Sequence, residues 1–465
     1  MNGKTPFVEA PPGPAEDLLV KVRAHVAADQ LEDGEALVDR LLASWPDHGE
    51  LVHLKGSLAW RRNDQDEAAR LMERSLTLEP VLPHYFSNLC EVYRKLGRFD
   101  EALALGRKAA DLHPDNIDFQ INLSVLHYSR REPAQAIVHA ERALALDPSR
   151  PDGHFGLAEP YLLLGDMERG WEEYQWRFGL DHPAALAMPK LDIPFWDGRP
   201  LPGGRLLVVA DQGFGDVLQF CRYIPWAASQ VGEVMVACGP ELQSLVGQLP
   251  GAGRLFTSWE DAPPAQAYCA LSGLPRLHGG GLDAIPSVTP YLRADPARVE
   301  VWAELLGALV PSGHRRVGLV WAGRPEHNND RQRSATLKRL APLTAVGGVT
   351  FVSLQMGPAM AQIGDYFGAA PLINLGAQLN DFDDTAAIIE NLDLVVTVDT
   401  SVAHLTGALG KPVWIMLAYA PDWRWLLDRI DSPWYPTARL FRQPDHHAWD
   451  EIAHAVADAL GGKPP

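Results

Sequence analysis

The sequence predicts an α-solenoid followed by an α/β region of two Rossmann-like, parallel-sheet domains. Three observations carry that expectation. Pro80, Pro114 and Pro148 recur every 34 residues in the first half. From residue 205 onward, short apolar runs with β-branched centres alternate with helical segments. Between the two textures lies a tract with many prolines and glycines, 181–204. The expected organisation is a flexible N-terminus over 1–14, a helical array over 15–180, a linker over 181–204, and Rossmann-like domains over 205–312 and 313–465.

The repeat is more than its prolines. Twelve residues before them stand Ala68, Ala102 and Ala136, and twelve before those stand the small residues Gly56, Cys90 and Ser124. Ala158 and Gly170 continue the cycle, and Pro46 closes a degenerate first copy. Small residues let two antiparallel helices approach closely, and the proline stops the second helix. Segments such as EALALGRKAADLHP place apolar residues at helical spacing. This pattern resembles the tetratricopeptide repeat, which implies a concave surface for a peptide or protein partner; the alternative is a scaffold or dimerisation element. The aromatic-rich last copy, GDMERGWEEYQWRF, is expected to pack the solenoid onto the α/β region.

In the second half, strands are expected at RLLVVA, EVMVAC, VGLVWA, VTFVSL, INL, DLVVTV and KPVWIML, with helices between them and DEIAHAVADAL as the terminal helix. Such alternation implies parallel sheets, and ligands bind at the carboxyl ends of their strands.

Composition narrows the classes. The chain has 465 residues, 46% hydrophobic and 22% charged, which excludes dominant disorder, collagen and coiled coil. A formal charge of −18 argues against a general nucleic-acid binder. Cys90, Cys221, Cys238 and Cys269 form no CxxC pair, as expected for buried thiols in a reducing compartment. The N-terminus lacks the features of a signal peptide, and no run of 18 apolar residues occurs, so the expected location is cytoplasmic and no transmembrane segment is expected.

Three loops are candidates for chemistry. In Asp211-Gln-Gly-Phe-Gly-Asp216, Gly213 and Gly215 permit a tight turn, and Asp216 is either a helix-start carboxylate or a catalytic one. Residues 314–339 carry seven Lys/Arg against Glu326 and Asp330, a local reversal of sign that suits an anion; Arg331, Arg333 and Ser334 lie there. The third loop is Thr397-Val-Asp399-Thr400-Ser401-Val-Ala-His404. Thr400 or Ser401 is placed to cap a helix whose free N–H groups favour phosphate, with Asp399 and His404 beside it. Trp423 and Trp425 are placed either to stack on a sugar or base or to pack in the core. Asp381-Phe-Asp383 opens a helix, with Asp383 in its capping region, and is read as no metal site.

GFGDVLQF, the Arg331-to-Ser334 element and DLVVTVDTSVAHLTGALGKPVWIML together resemble bacterial glycosyltransferases of the heptosyltransferase family, and more closely those carrying N-terminal tetratricopeptide repeats. The layout is also similar to protein O-GlcNAc transferases. The resemblance implies a GT-B fold and metal-independent, inverting transfer from a nucleotide-diphosphate sugar, with no resident cofactor. It implies Asp216 as general base, Arg333 on the donor diphosphate, and Asp399, Thr400 and His404 lining the donor site. The chain departs from that pattern in an Arg-rich loop where a lysine is common, and in the stretch APDWRWLLDRIDSPWYPTARLFRQ. The expected function is a glycosyltransferase whose array selects a protein acceptor. The alternatives are a transferase acting on a lipopolysaccharide or polysaccharide glycan, and a repeat adaptor without activity.

Overall fold

The structure is a computed structural model that describes residue 14 and residues 16–80, 82–180 and 188–462. Most of the expected N-terminal segment and residues 181–187 of the linker lie outside the described residues. Two compact units are present, 1–149 and 150–465.

The first unit is built of helix pairs: α1 (Glu16–Ala27) with α2 (Leu31–Ser44), α3 (Gly49–Arg61) with α4 (Gln65–Leu78), α5 (Pro83–Leu96) with α6 (Phe99–Leu112), and α7 (Ile117–Ser129) with α8 (Pro133–Leu146). Pro46, Pro80, Pro114 and Pro148 each fall two residues past the last helical residue of a pair. The expected small positions are where helices touch. A Cβ on Gly56 would stand 3.0 Å from Met72 Cγ of α4, and the Cys90 thiol reaches the Ala102 carbonyl at 3.6 Å. Ala68, Ala102 and Ala136 are fully buried.

The second unit opens with one more pair, α9 (Pro151–Leu163) and α10 (Met167–Tyr174), extended by a 3₁₀ turn over Gln175–Gly179. Two parallel sheets follow. The first has the order β3-β2-β1-β4, from β1 (Leu201–Val209), β2 (Val231–Ala237), β3 (Ala252–Phe256) and β4 (Ala267–Ala270). Its helices are α11 (Phe214–Phe220), α12 (Ile224–Gln230), α13 (Pro240–Val246) and α14 (Leu274–Leu277). Helix α15 (Pro296–Leu309) leads to the second sheet, β10-β9-β8-β5-β6-β7. Its strands are β5 (Arg315–Val320), β6 (Val349–Ser353), β7 (Leu372–Asn374), β8 (Leu394–Val398), β9 (Val413–Leu417) and β10 (Ala438–Arg442). Its helices are α16 (Asp330–Arg333), α17 (Phe382–Glu390), α18 (Ser401–Ala408) and α19 (Trp449–Leu460). Every residue of β6 and β8 is buried, as continuous apolar runs require when helices cover both faces of a parallel sheet.

The structure departs from the expected elements in three ways. VLQFCRYIPWAASQ is two helices, because Pro225 lacks an amide and restarts the chain at α12. After β6 there is a 3₁₀ segment, Pro358–Asp365, where a helix was expected. Strands β3, β4 and β10 were not anticipated; β4 is only four residues, AYCA, rich in alanine and thus poor in β propensity. All four cysteines are buried and free.

Candidate functional site

Each sheet has one point at which strand order reverses beside its first strand, and the candidate loops leave from there. In the first sheet β1 lies between β2 and β4; in the second, β5 lies between β6 and β8. The crevice at such a point is where open α/β sheets bind ligands. The Asp211–Asp216 loop follows β1, and the Arg-rich and Asp399 loops follow β5 and β8.

Gly215 explains how the first and third loops meet. A Cβ there would lie 2.9 Å from the His404 ring and 3.6 Å from Ser401 Cα, so only glycine lets α11 approach the start of α18 this closely. Gly213 occupies the cap position of α11, and Asp216 stands in its first turn. The Asp216 carboxylate is half-buried and paired with Arg424. Burial raises its pKa, making the carboxyl a weaker acid, against the opposing pull of Arg424.

His404 is buried, accepts or donates at Nδ1 with the Tyr435 hydroxyl at 2.8 Å, and stacks on Trp425 at 5.5 Å. Burial, with Arg424 next, lowers its pKa to about 3, so the imidazole is neutral. Its Nε2 is 4.0 Å from Asp399 Oδ1. Burial and then the Asp422 charge raise Asp399 to about 6. Arg333 donates to the Asp399 carbonyl at 3.2 Å and crosses Gly323, where a Cβ would lie 2.5 Å from the guanidinium. Ser334 organises the same loop: its hydroxyl accepts from the Gly323 amide and donates to Asp330.

Several expectations need correction. Thr400 takes the cap position of α18 but makes no side-chain cap bond, because its hydroxyl pairs with Thr397 at 3.1 Å; Ser401 is the first helical residue. Arg331 is exposed, and Arg333 is the one that reaches Asp399. Trp423 and Trp425 are core residues: both are fully buried, Trp423 edge-on to Trp171 at 5.2 Å and Trp425 against His404. Neither ring has a free face for a sugar or base. In the Asp381–Asp383 element the cap is Asp381, which accepts from the Asp384 amide at 2.8 Å, while Asp383 accepts from Ser244. Among the described residues no group of three His, Cys, Asp or Glu is arranged to hold a metal ion, and no helix is long and apolar enough to cross a membrane.

Sequence reading missed the residues that tie the site together. Arg424 donates to Gln219 at 2.6 Å and to both oxygens of Asp422, in addition to Asp216. Arg177, past the end of α10, donates to Asp211 at 3.1 Å and to Ser272 at 2.6 Å, and Ser272 bonds Asp211 in turn. A charged residue flanked by tryptophans, as in Trp423-Arg424-Trp425, was the available sign that a charge is buried there.

Comparison with known proteins identifies the repeats of the helical array and a relative along most of the chain. A tetratricopeptide repeat model matches residues 19–83, 53–117, 88–151 and 121–175. The helical array is made of tetratricopeptide repeats. The chain is similar to Protein FlbA of Caulobacter vibrioides, 27% identical over an alignment that covers 90% of this chain and 79% of that one. It is also similar to the Hsp70-Hsp90 organizing protein of Triticum aestivum, 30% identical over 23% of this chain and 18% of that protein. Among solved structures, YrrB, described as a tetratricopeptide-repeat protein with an unusual peptide-binding site, matches 36% of this chain and 87% of its own at 16% identity and a TM-score of 0.31.

Proposed function

We propose that the chain is a GT-B glycosyltransferase that moves a sugar from a nucleotide-diphosphate sugar to an acceptor hydroxyl, with the tetratricopeptide array selecting a protein acceptor. The observation that carries this reading is the start of α18. It lies at the reversal point of the second sheet and has no side-chain cap, with Arg333 beside it and Asp216 across from it on the first sheet. Open N–H groups, the helix dipole and a guanidinium together suit a leaving diphosphate, an electrostatic contribution worth a few kcal/mol. A carboxylate whose affinity for protons is raised by burial suits a general base, worth about 10²–10⁴-fold. His404, neutral and held by Tyr435, packs against Gly215 and keeps the two loops in register.

The test is thermal unfolding of the full chain against UDP-, ADP- and GDP-linked sugars and the free nucleotides, followed by Asp216→Asn. A ligand at about 100 times its Kd adds about 2.7 kcal/mol, so the right donor shifts the transition by a few degrees. Asp216→Asn should abolish turnover and preserve that shift. An unresponsive protein across the panel would leave the adaptor as the better account.

A further inference from the structure

The turn after β9 carries a buried arginine to which the transferase reading gives no part. Arg424 is 8% exposed, and its guanidinium lies over the Trp423 ring at 4.4 Å. Its donors are spoken for: Nε goes to Gln219 Oε1, Nη1 to both oxygens of Asp422 at 2.8 and 3.0 Å, and Nη2 to Asp216 Oδ1. A planar fork fixed on three partners cannot rotate, so the carboxylate it holds is oriented too. Arg424 grips Asp216 through one oxygen, and the Asp216 side chain keeps 23% of its surface open.

The backbone that presents Arg424 is itself constrained. Leu426 has φ 54° and ψ −168°, a region that is essentially glycine's, and Asp428 has φ 51°. Arg442 of β10 clamps this turn by donating to three carbonyls: Trp425 at 2.6 Å, Arg429 at 2.9 Å and Leu426 at 3.0 Å. Strain of this kind persists only where the surroundings over-determine it, and here it fixes the guanidinium that Asp422 and Asp216 share.

We propose that Arg424 is a positioning residue for Asp216, fixing the carboxylate of the candidate base at the first turn of α11. The assignment rests on the transferase reading of Asp216. The groups facing Asp216 are Arg424 and Asp422 from the turn after β9, Asp211 from its own loop, Tyr174 of α10, and, one residue away, the neutral His404 of α18. Of these only Arg424 is a cation. Removing it should favour the protonated, inactive form of Asp216, whereas removing the Asp422 charge should do the opposite.

The test measures release of nucleoside diphosphate from UDP-, ADP- and GDP-linked sugars by the full chain, between about pH 5 and about pH 9. Arg424→Gln should move the acid limb of the rate profile up by about one pH unit, which is about tenfold in rate below the limb. The thermal shift given by the free nucleoside diphosphate should stay as in the parent chain. Arg424→Lys should return the limb most of the way, and Asp422→Asn should move it down. A purely structural role would lower the rate equally at every pH, and that result, or an unmoved limb in an active protein, overturns the assignment alone. If Arg424→Gln does not fold, the limbs of Arg424→Lys and Asp422→Asn decide, and both standing at the parent position overturns it. A parent chain that neither binds nor turns over any donor overturns the transferase reading, and this assignment falls with it.

Discussion

A single missing Cβ governs how closely the two candidate loops meet. At Gly215 an added methyl would press on the His404 ring at 2.9 Å, and that ring is fixed from behind by Trp425 and the Tyr435 hydroxyl. The ring has nowhere to go, so Gly215→Ala must push α11 away from α18. Overpacking of this kind costs about 1–3 kcal/mol. Gly215→Ala should therefore lower the unfolding temperature and weaken the nucleotide-induced shift, because Asp216 moves with α11. Ala at Gly281, where the space is open, is the comparison: it should leave both measurements unchanged. The glycines were legible in the sequence as a tight turn; their partner was not, since His404 lies 189 positions away and only the fold brings it near.

At the scale of elements, the array was readable and the pairing of charges in the second half was not. A 34-residue period fixes where helices stop and which faces touch, because each repeat buries the same positions against its neighbour. Arg424 with Asp216, or Arg298 with Asp381 and Asp384, has no such period; each pair joins segments that only the sheets bring together. The helix pairs also contain polar contacts that the period does not reveal. His53 of α3 is buried, stacks on Tyr85 at 4.1 Å, and accepts from Asn88 at 2.9 Å. Its pKa is lowered to about 3 by burial, with the nearby His84 adding to the effect. The unfolded chain takes up a proton at this residue below about pH 6.5, while the folded site stays neutral until about pH 3. Stability contributed here is thus complete above about pH 6.5 and is lost as pH falls through that window. At about pH 5 the deficit is about 2 kcal/mol. His53→Gln should be less stable than the parent near neutrality, and the gap in urea midpoint, followed by circular dichroism, should narrow or reverse at about pH 5. A gap of constant size across that range would show that His53 does not titrate in this way.

Considered whole, the molecule does not divide where its repeats end. Periodicity counts α9 and α10 as the last repeat, yet both belong to the compact unit that begins at Arg150. The reason lies in the residues this pair presents. Trp171 meets Trp423 and Phe220 edge-on, Tyr174 accepts from Gln212, and Arg177 is buried on Asp211 and Ser272. These contacts fall on the Asp211–Asp216 loop, on the helix it opens and on the turn that bears Arg424, so the pair acts as a wall of the candidate site. Two truncations separate these roles. A chain starting at residue 150 should unfold cooperatively and keep the nucleotide-induced thermal shift, while losing transfer to a protein acceptor. A chain starting at residue 181 strips Arg177 from Asp211, whose side chain is buried, and leaving one partner of a buried ion pair alone costs about 3–5 kcal/mol, before the exposure of Trp423 and Phe220 is counted. It should melt well below the longer chain and lose the nucleotide response with it. Equal melting temperatures for the two would mean that the last repeat contributes only to partner binding, and that the first sheet holds its loop without it.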